Sequence, residues 1–269
     1  MLKYLPKKRL GQNFLTDHSV INSILELANY NHDDCILEIG PGKGALTEWL
    51  SHSELRLKVL AVELDLNLFF YLQDRFKGNN FGIIHGDILK INLEHICDEF
   101  FGQQSKWRII GNLPYNISTP LLFKLFSFKN KIIDQFFMLQ NEVVDRMTAT
   151  PGNKAYGRLS VILQSTYCME KLMVIEPESF FPVPKVRSAL VKMKPNQILY
   201  DEIKDWTTFS TLVTKAFSCR RKTIKNNLKE FIHHLNFKNT EGKLGDRPED
   251  FSVEDYIELA NQIVDFKNI

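Results

Sequence analysis

Cysteine is scarce in this chain, and its four copies stand far apart. Cys35, Cys97, Cys168 and Cys219 form no C-x-x-C pair. Widely spaced single cysteines argue against a disulfide framework and against a structural zinc site. We therefore expect no metal, and a reducing compartment, the cytoplasm, fits this composition.

A strong excess of one charge and a long apolar run are also missing. The 34 basic residues nearly balance the 32 acidic ones, leaving a net charge of +2. Any surface that binds nucleic acid must therefore be local. No apolar run approaches the roughly 18 residues of a membrane-spanning helix, so we expect no membrane partner. The apolar fraction of 44% suffices for a sizeable core, which excludes intrinsic disorder.

Strand-like and helix-like segments alternate from residue 35 onward. The strand-like runs are CILEIG, KVLAVE, FGIIHGD, WRIIGN and IIDQFFMLQ. The helix-like runs between them are GALTEWLSH, DLNLFFYLQDRF, LEHICDEFF and TPLLFKLF. This order predicts an α/β fold, a mostly parallel sheet with helices on both faces. Such sheets bind ligands at the carboxyl ends of their strands.

The two ends of the chain extend this pattern. TDHSVINSILELA predicts an early helix capped by Thr16 or Asp17. FFPVPKVRSALVKM predicts a Pro-rich turn and a last strand, and beyond residues 194–197 the pattern is helical. We therefore predict one domain over residues 1–196 and a small helical domain over residues 197–269.

A glycine-rich turn, EIGPGKGALT (38–47), follows the first of these strands. Gly40, Gly42 and Gly44 allow the backbone to pass close to a ligand. Their G-x-G-x-G spacing differs from the G-x-G-x-x-G of dinucleotide sites, so a nicotinamide or flavin cofactor fits less well. The alternative is a purely structural strand-to-helix turn.

Two acidic residues end the next two strands. Glu63 could accept hydrogen bonds from both hydroxyls of a ribose, and Asp87 could accept one from an adenine amino group. Either acid alone is typical of a solvated strand end. Together with the glycines they predict a nucleoside pocket in which carboxylates repel phosphates. S-adenosylmethionine, an adenosine with a sulfonium and no phosphate, fits this pocket.

The stretch NLPYNIS (112–118) ends the fourth strand beside that pocket. The Asn112 side-chain oxygen and a backbone carbonyl could accept the two protons of an exocyclic amine, which aims the nitrogen lone pair at a methyl group. Pro114 stiffens the loop, and Tyr115 offers a flat face for a base. Catalysis would then rest on positioning and electrostatic complementarity. The alternative is a plain Asn-Pro turn.

These motifs resemble those of the ribosomal RNA adenine N6,N6-dimethyltransferases, and the resemblance covers nearly the whole chain. GQNFL (11–15), YGRLSV (156–161) and FFPVPKVRSA (180–189) match as well, and AFSCRRKTIKNNL (216–228) looks like the bacterial small-subunit branch. The resemblance implies a Rossmann-like S-adenosylmethionine-dependent methyltransferase domain followed by a small helical domain that binds RNA or the ribosome.

The resemblance also implies roles for particular residues. It implies cofactor contacts from Asn13, Leu15, Gly40, Glu63, Asp87 and Asn112, to which the glycine turn adds Gly42. It implies a methyl-transfer loop made of Asn112, Leu113, Pro114 and Tyr115. Phe180 is expected to sandwich the target adenine against Tyr115, and Phe181 is expected to be the core member of the pair.

The implied substrate is a pair of adjacent adenosines in a hairpin near the 3′ end of small-subunit rRNA, each methylated twice. The target base would leave its stack to reach the pocket. The implied partner is this rRNA within a pre-30S particle, and the enzyme is expected to bind it as a monomer.

Six basic residues and no acid lie between residues 215 and 229. They are Lys215, Arg220, Arg221, Lys222, Lys225 and Lys229. In one continuous helix, the last four would line a face beside an apolar one. We predict contacts with RNA phosphates from Arg220, Arg221, Lys222 and Lys225. The alternative is an ordinary solvated face.

Three competing functions are weaker. A 23S rRNA adenine methyltransferase that gives macrolide resistance is disfavoured by YGRLSV and RRKTIKNNL. A catalytically silent RNA-binding assembly or transcription factor of the same fold would not need NLPY. DNA adenine methyltransferases resemble Asp/Asn-Pro-Pro-Tyr instead.

Overall fold

The computed structural model describes residues 5–7, 10–235 and 245–267, and at 115, 116, 232–234 and 267 only the backbone is described. The chain divides into two units, described here one at a time. The first takes in residues 1–144 and 170–195, and the second takes in 145–169 and 196–269. Within the described ranges, no helix is both long and apolar enough to cross a membrane.

The first unit is built on a seven-stranded sheet. Its strands are β2 (Cys35–Ile39), β3 (Lys58–Glu63), β4 (Phe81–His85), β5 (Trp107–Asn112), β6 (Ile132–Gln140), β7 (Tyr167–Ile175) and β9 (Ser188–Pro195). A separate antiparallel pair joins β1 (Phe14–Leu15) to β8 (Phe180–Phe181).

The strand order in the main sheet is β4-β3-β2-β5-β6-β9-β7. The strands from β2 to β6 run parallel, and β9 pairs antiparallel with β6. The predicted mostly parallel α/β fold is therefore confirmed. The order reverses beside β2, where the chain moves outward to β3 on one side and later to β5 on the other. Open sheets of this kind bind ligands at such a switch point, outside the carboxyl ends of the strands.

The described helices alternate with these strands and then continue into the second unit. They are α1 (His18–Ala28), α2 (Ala45–Ser51), α3 (Leu66–Arg75), α4 (Leu93–Phe101), α5 (Tyr115–Phe126), α6 (Asn141–Met147), α7 (Arg158–Gln164), α8 (Gln197–Asp201), α9 (Trp206–Ala216), α10 (Ile224–Asn227) and α11 (Val253–Lys267).

The caps of two helices show how the sequence sets their first turns. Of the two candidates for α1, Asp17 is the cap, because its carboxylate accepts from the amides of Ser19 and Val20. Helix α5 begins at Tyr115, earlier than the predicted TPLLFKLF segment. Pro114 is its cap residue, with φ −59°, so the proline that ends the loop also starts the helix.

An arginine lies inside the core of the first unit. Arg108 in β5 is 5% exposed, and its guanidinium donates to Asp134 at 2.7 and 2.8 Å and to Asp34 at 3.0 Å. It also donates to the carbonyls of Ala28 and Asn29, which end α1. A buried charge is tolerable only when it is paired in this way. The apolar reading of WRIIGN missed this link between α1, β5 and β6.

The second unit includes residues 145–169, which the sequence analysis placed in the first domain. Helix α7 is mostly buried and packs with α9 and α11. A short apolar helix cannot bury its surface alone, so it groups with the C-terminal helices. Within this unit, Arg220 Nη2 donates to the carbonyls of Lys154 and Tyr156 at 2.9 and 2.8 Å.

The basic segment, residues 215–229, is not one continuous helix. Helix α9 ends at Ala216, and α10 begins at Ile224. The Asn227 side chain donates to the carbonyls of Ala216 and Cys219 at 2.7 and 2.9 Å, which satisfies the end of α9 and holds the turn. The expectation of one helical face is therefore wrong for Arg221, Lys222, Lys225 and Lys229.

Candidate active site

A cavity of about 590 Å³ opens at the carboxyl ends of the parallel strands. Its lining includes all the predicted cofactor and methyl-transfer residues whose side chains the structure describes: Asn13, Leu15, Gly40, Gly42, Glu63, Asp87, Asn112, Leu113, Pro114 and Phe180. The side chain of Tyr115, the remaining residue, lies outside the described part of the chain. The structure thus brings these residues to one cavity, and Gly40, Glu63, Asp87 and Asn112 reach it because they lie at the carboxyl ends of parallel strands.

The glycine turn requires glycine at Gly42 for two reasons. Its φ is +62°, and an added Cβ would lie 2.9 Å from Cδ1 of Phe14. The amide of Gly42 donates to Glu63 Oε2 at 3.0 Å. The turn is therefore held against the end of β3 by the same carboxylate that was predicted to hold a ribose.

Glu63 is 5% exposed, and each of its oxygens already accepts one backbone hydrogen bond. Oε1 accepts from the amide of Asp65 at 2.8 Å. Burial raises the pKa of Glu63, and these amides act against that rise. Because a carboxylate can accept about four hydrogen bonds, Glu63 keeps capacity to accept from a hydroxyl group in the cavity.

Glu38 is a cavity residue that the sequence analysis did not assign. It is the second-to-last residue of β2, two residues before Gly40, is 2% exposed, and accepts from the Thr47 hydroxyl at 2.7 Å. Burial is the main cause that raises the pKa of Glu38 to about 7, and repulsion by Glu63 adds to it. A signal was present, since Glu38 is an acid at a strand end next to the glycine turn.

Asp87 lies on the cavity wall after β4. Its Oδ1 accepts from the amide of Leu89 at 3.0 Å, and Oδ2 lies 3.7 Å from the Lys90 ammonium. One oxygen thus stabilises the local turn, and the carboxylate is partly exposed.

Asn112 ends β5 with its amide in a fixed orientation. Nδ2 donates to the carbonyl of Asn13 at 2.8 Å, so Oδ1 is the atom left to accept a hydrogen bond. The preceding residue, Gly111, allows β5 to lie close to β2, because an added Cβ there would lie 2.6 Å from the carbonyl oxygen of Ile39. The next amide, that of Leu113, donates to the carbonyl of Met138 at 3.2 Å.

The two phenylalanines of β8 have the opposite burial from the one predicted. Phe180 is 3% exposed and packs in the core, whereas Phe181 is 55% exposed. The expectation that Phe181 is the core member is wrong. Successive side chains of a strand point to opposite sides, and the register pairs Phe180 with Leu15. Phe180 also lines the cavity from this buried position.

The basic segment of the second unit separates into two kinds of residue. Arg221, Lys222 and Lys225 are exposed, and no ion pair with another described residue involves them. Arg220, in contrast, donates from Nη2 to two carbonyls, and Lys215 pairs with Glu230 at 2.9 Å. Among the described residues of this segment, Arg221, Lys222 and Lys225 are exposed cations free to meet a phosphate, and so is Lys229.

Comparison with known proteins decides the family. The family model of ribosomal RNA adenine dimethylases matches residues 5–265. This chain belongs to that family. It is 42% identical over 266 residues to "Ribosomal RNA small subunit methyltransferase A" of Chromobacterium violaceum, covering 98% of both chains. A protein of the same name from Burkholderia ambifaria is 45% identical over 264 residues, covering 97% of this chain and 94% of the relative.

Solved structures agree with this dimethylase in fold. A dimethyladenosine transferase from Plasmodium falciparum superposes with a TM-score of 0.75 at 24% identity, covering 95% of this chain and 98% of that one. The 23S rRNA methyltransferase ErmE superposes with a TM-score of 0.69 at 21% identity, covering 94% of this chain and 100% of that one. At these identities the likeness concerns the fold alone.

The dimethylase family is one of S-adenosylmethionine-dependent methyltransferases, and the cavity suits that cofactor. Three carboxylates, Glu38, Glu63 and Asp87, line it, which disfavours a ligand rich in phosphate and favours a cationic one. In the described part of the chain, no cluster of His, Cys, Asp and Glu side chains could hold a metal ion.

Proposed function

We propose that this dimethylase transfers methyl groups from S-adenosylmethionine to N6 of two adjacent adenosines near the 3′ end of 16S rRNA, two to each base. The observation that carries the proposal is the orientation of Asn112. Its Nδ2 is held by the Asn13 carbonyl at 2.8 Å, and its Oδ1 is left as an acceptor in the cavity wall. Relatives 42–45% identical over nearly the full chain are named for small-subunit rRNA.

In this proposal the cofactor is held by strand ends. Glu63 accepts from the ribose hydroxyls, Asp87 accepts from the adenine amino group, and the backbone at Gly40 and Gly42 leaves room for close approach. S-adenosylmethionine, when bound, supplies an electrophilic methyl group on a sulfonium. Asn13 and Leu15 close the cavity beside Asn112.

The chain itself contributes positioning more than proton transfer. Asn112 Oδ1 and a backbone carbonyl of the loop accept the two protons of the adenine amine, so its lone pair is directed at the methyl group. The amine becomes acidic only after it is methylated, so its proton can pass to solvent without a strong base. Leu113 and Pro114 fix this geometry, and Tyr115 and Phe180 are the proposed faces for the target base.

The proposed partner is small-subunit rRNA within a pre-30S particle, which the enzyme binds as a monomer in the cytoplasm. Arg221, Lys222 and Lys225 are the proposed phosphate contacts, since they are exposed and unpaired among the described residues. Arg220 is the weakest of the four predicted phosphate contacts, because its Nη2 already donates to two carbonyls of its own unit.

The test is transfer of tritiated methyl groups to unmethylated small subunits, with mapping of the labelled bases. The expected product is label on two adjacent adenosines in one hairpin near the 3′ end. Label on large-subunit rRNA would favour the 23S alternative, and no label on any ribosomal RNA would favour a silent factor of the same fold.

Asn112→Ala tests the mechanism in the same assay. We expect a loss of roughly 100-fold or more in methyl transfer, the scale on which an electrostatic positioning group acts, with folding and RNA binding retained. Asn31→Ala is a matched control, because Asn31 is an exposed amide that precedes β2, at the end of the strand opposite the cavity. A folded Asn112 variant that methylates at the wild-type rate would contradict the positioning role.

A further inference from the structure

Phe181 is an exposed aromatic ring beside the mouth of the cavity. It is 55% exposed, and the ammonium of Lys43 lies 5.8 Å from its ring centroid and 5.0 Å from that of Phe14. Lys43 also lines the cavity. One cation therefore links the cavity wall to the exposed ring.

The ring belongs to a larger exposed apolar surface. Val183 is 59% exposed and Val186 is 48% exposed, and Pro184 and Val186 line the cavity. Single exposed apolar residues need no explanation. Here they are grouped at the entrance of a site whose proposed substrate must unstack its bases, which points to a binding role.

The charges around the ring suit an anion. Among the described residues, Lys43 has no carboxylate partner, and neither does the exposed Lys185. An aromatic face beside a free cation matches a nucleotide, because the base stacks on the ring and the phosphate meets the cation. A peptide partner of net negative charge would use the cations but would have no particular need of a flat ring.

We propose that Phe181 stacks on the base that flanks the target adenosine, while Lys43 contacts a phosphate of that flanking nucleotide. The inference rests on the proposed function. When one of two adjacent adenosines enters the cavity, its neighbour loses a stacking partner. Phe180 and Phe181 point to opposite sides of β8, so one strand serves the base inside the cavity and the base outside it. Phe181 is thus a positioning residue that favours a purine neighbour.

The test combines an enzyme variant with a substrate variant. Phe181→Ala is compared with Phe70→Ala, since Phe70 is 56% exposed on α3 of the same unit. The substrates are unmethylated small subunits, intact or rebuilt with an abasic nucleotide in place of one of the two adenosines. The readouts are kcat/KM for methylation of the remaining adenosine and the affinity for S-adenosylmethionine.

On intact particles we expect Phe181→Ala to lower kcat/KM by roughly 5- to 150-fold, the range for loss of one base–aromatic stack. Phe70→Ala should leave kcat/KM at the wild-type value, and both variants should bind S-adenosylmethionine normally. On abasic particles Phe181→Ala should cause no further loss, because the base that the ring contacts is already gone. Phe181→Trp should restore activity on intact particles.

Two results would overturn the inference while leaving the proposed function intact. One is equal activity of the Phe181 and Phe70 variants. The other is the same fold-loss from Phe181→Ala on intact and abasic particles, which would place the ring against something other than the flanking base, such as a protein of the particle. A wild-type enzyme that leaves small subunits unlabelled would instead remove the proposed function, and the inference with it.

Discussion

The carboxyl group of Glu38 illustrates how one residue couples the site to stability. It lies two residues before Gly40 and accepts from the Thr47 hydroxyl, and burial raises its pKa to about 7. The free protein therefore holds this group largely protonated below that pH. Binding a cationic ligand in the same cavity would favour the charged form, so cofactor binding should release a proton.

This coupling predicts a pH dependence of folding. Between the ordinary value of 4.5 and about 7, the folded state binds a proton that the unfolded state has lost. The contribution of Glu38 to the free energy of unfolding is therefore fully present below pH 4.5 and falls by on the order of 2–3 kcal/mol as pH rises to about 7. Glu38→Gln should remove that part of the slope in urea unfolding measured from pH 5 to 8. Parallel profiles for the two proteins would exclude the coupling.

Among the elements, the glycine turn between β2 and α2 lines the cavity, so its backbone conformation directly shapes the ligand site. Gly42→Ala places a Cβ 2.9 Å from the Phe14 ring at φ +62°. Gly152→Ala is its matched control, because Gly152 has φ +81° and nothing within 4 Å of an added Cβ. Both variants should lose about 1 kcal/mol of stability from the positive φ.

Only the Gly42 variant should lose cofactor affinity, by about tenfold or more, since the turn must move away from Phe14. Calorimetric titration with S-adenosylmethionine on both variants checks this. Equal affinities would mean that the turn does not approach the cofactor.

The elements also show what the sequence could predict. Strand ends at Gly40, Glu63, Asp87 and Asn112 were predictable, because parallel strands present their carboxyl ends on one edge. Long-range partners were not. Strand β7 lies at the edge of the sheet, carries two adjacent charged residues in its middle and buries only its two end residues fully, so it gives a weak signal. Arg108 sits inside an apolar run because carbonyls and carboxylates distant in sequence surround it.

Burial of single side chains was equally hard to predict. Which of the two phenylalanines points inward depends on the pairing of β8 with β1, whose partners lie 165 (Leu15 with Phe180) and 167 (Phe14 with Phe181) residues apart in sequence. The break between α9 and α10 depends on Asn227 reaching back to Ala216 and Cys219. Both are tertiary effects that override local propensity.

Across the whole chain, the cavity and the proposed RNA phosphate contacts belong to different units. The cavity is lined by residues of the first unit, and the exposed cations Arg221, Lys222 and Lys225 belong to the second. A change confined to these cations should therefore alter RNA binding without altering cofactor binding. That separation makes the basic segment testable without disturbing the reaction site.

Replacing Arg221, Lys222 and Lys225 by Gln should flatten the salt dependence of binding to small subunits. Each lost phosphate contact removes about 0.7–0.9 log units of affinity per log unit of salt, so the slope should fall by roughly two to three.

The matched control replaces Lys58, Lys106 and Lys194 by Gln, three exposed lysines of the first unit at the ends of strands opposite the cavity. It removes the same charge and should leave the slope near that of the wild type, and both triple variants should bind S-adenosylmethionine normally. Binding to unrelated RNA should weaken as well, because phosphate contacts position without specifying sequence. If the two triple variants give the same salt titration, the three residues form an ordinary solvated face.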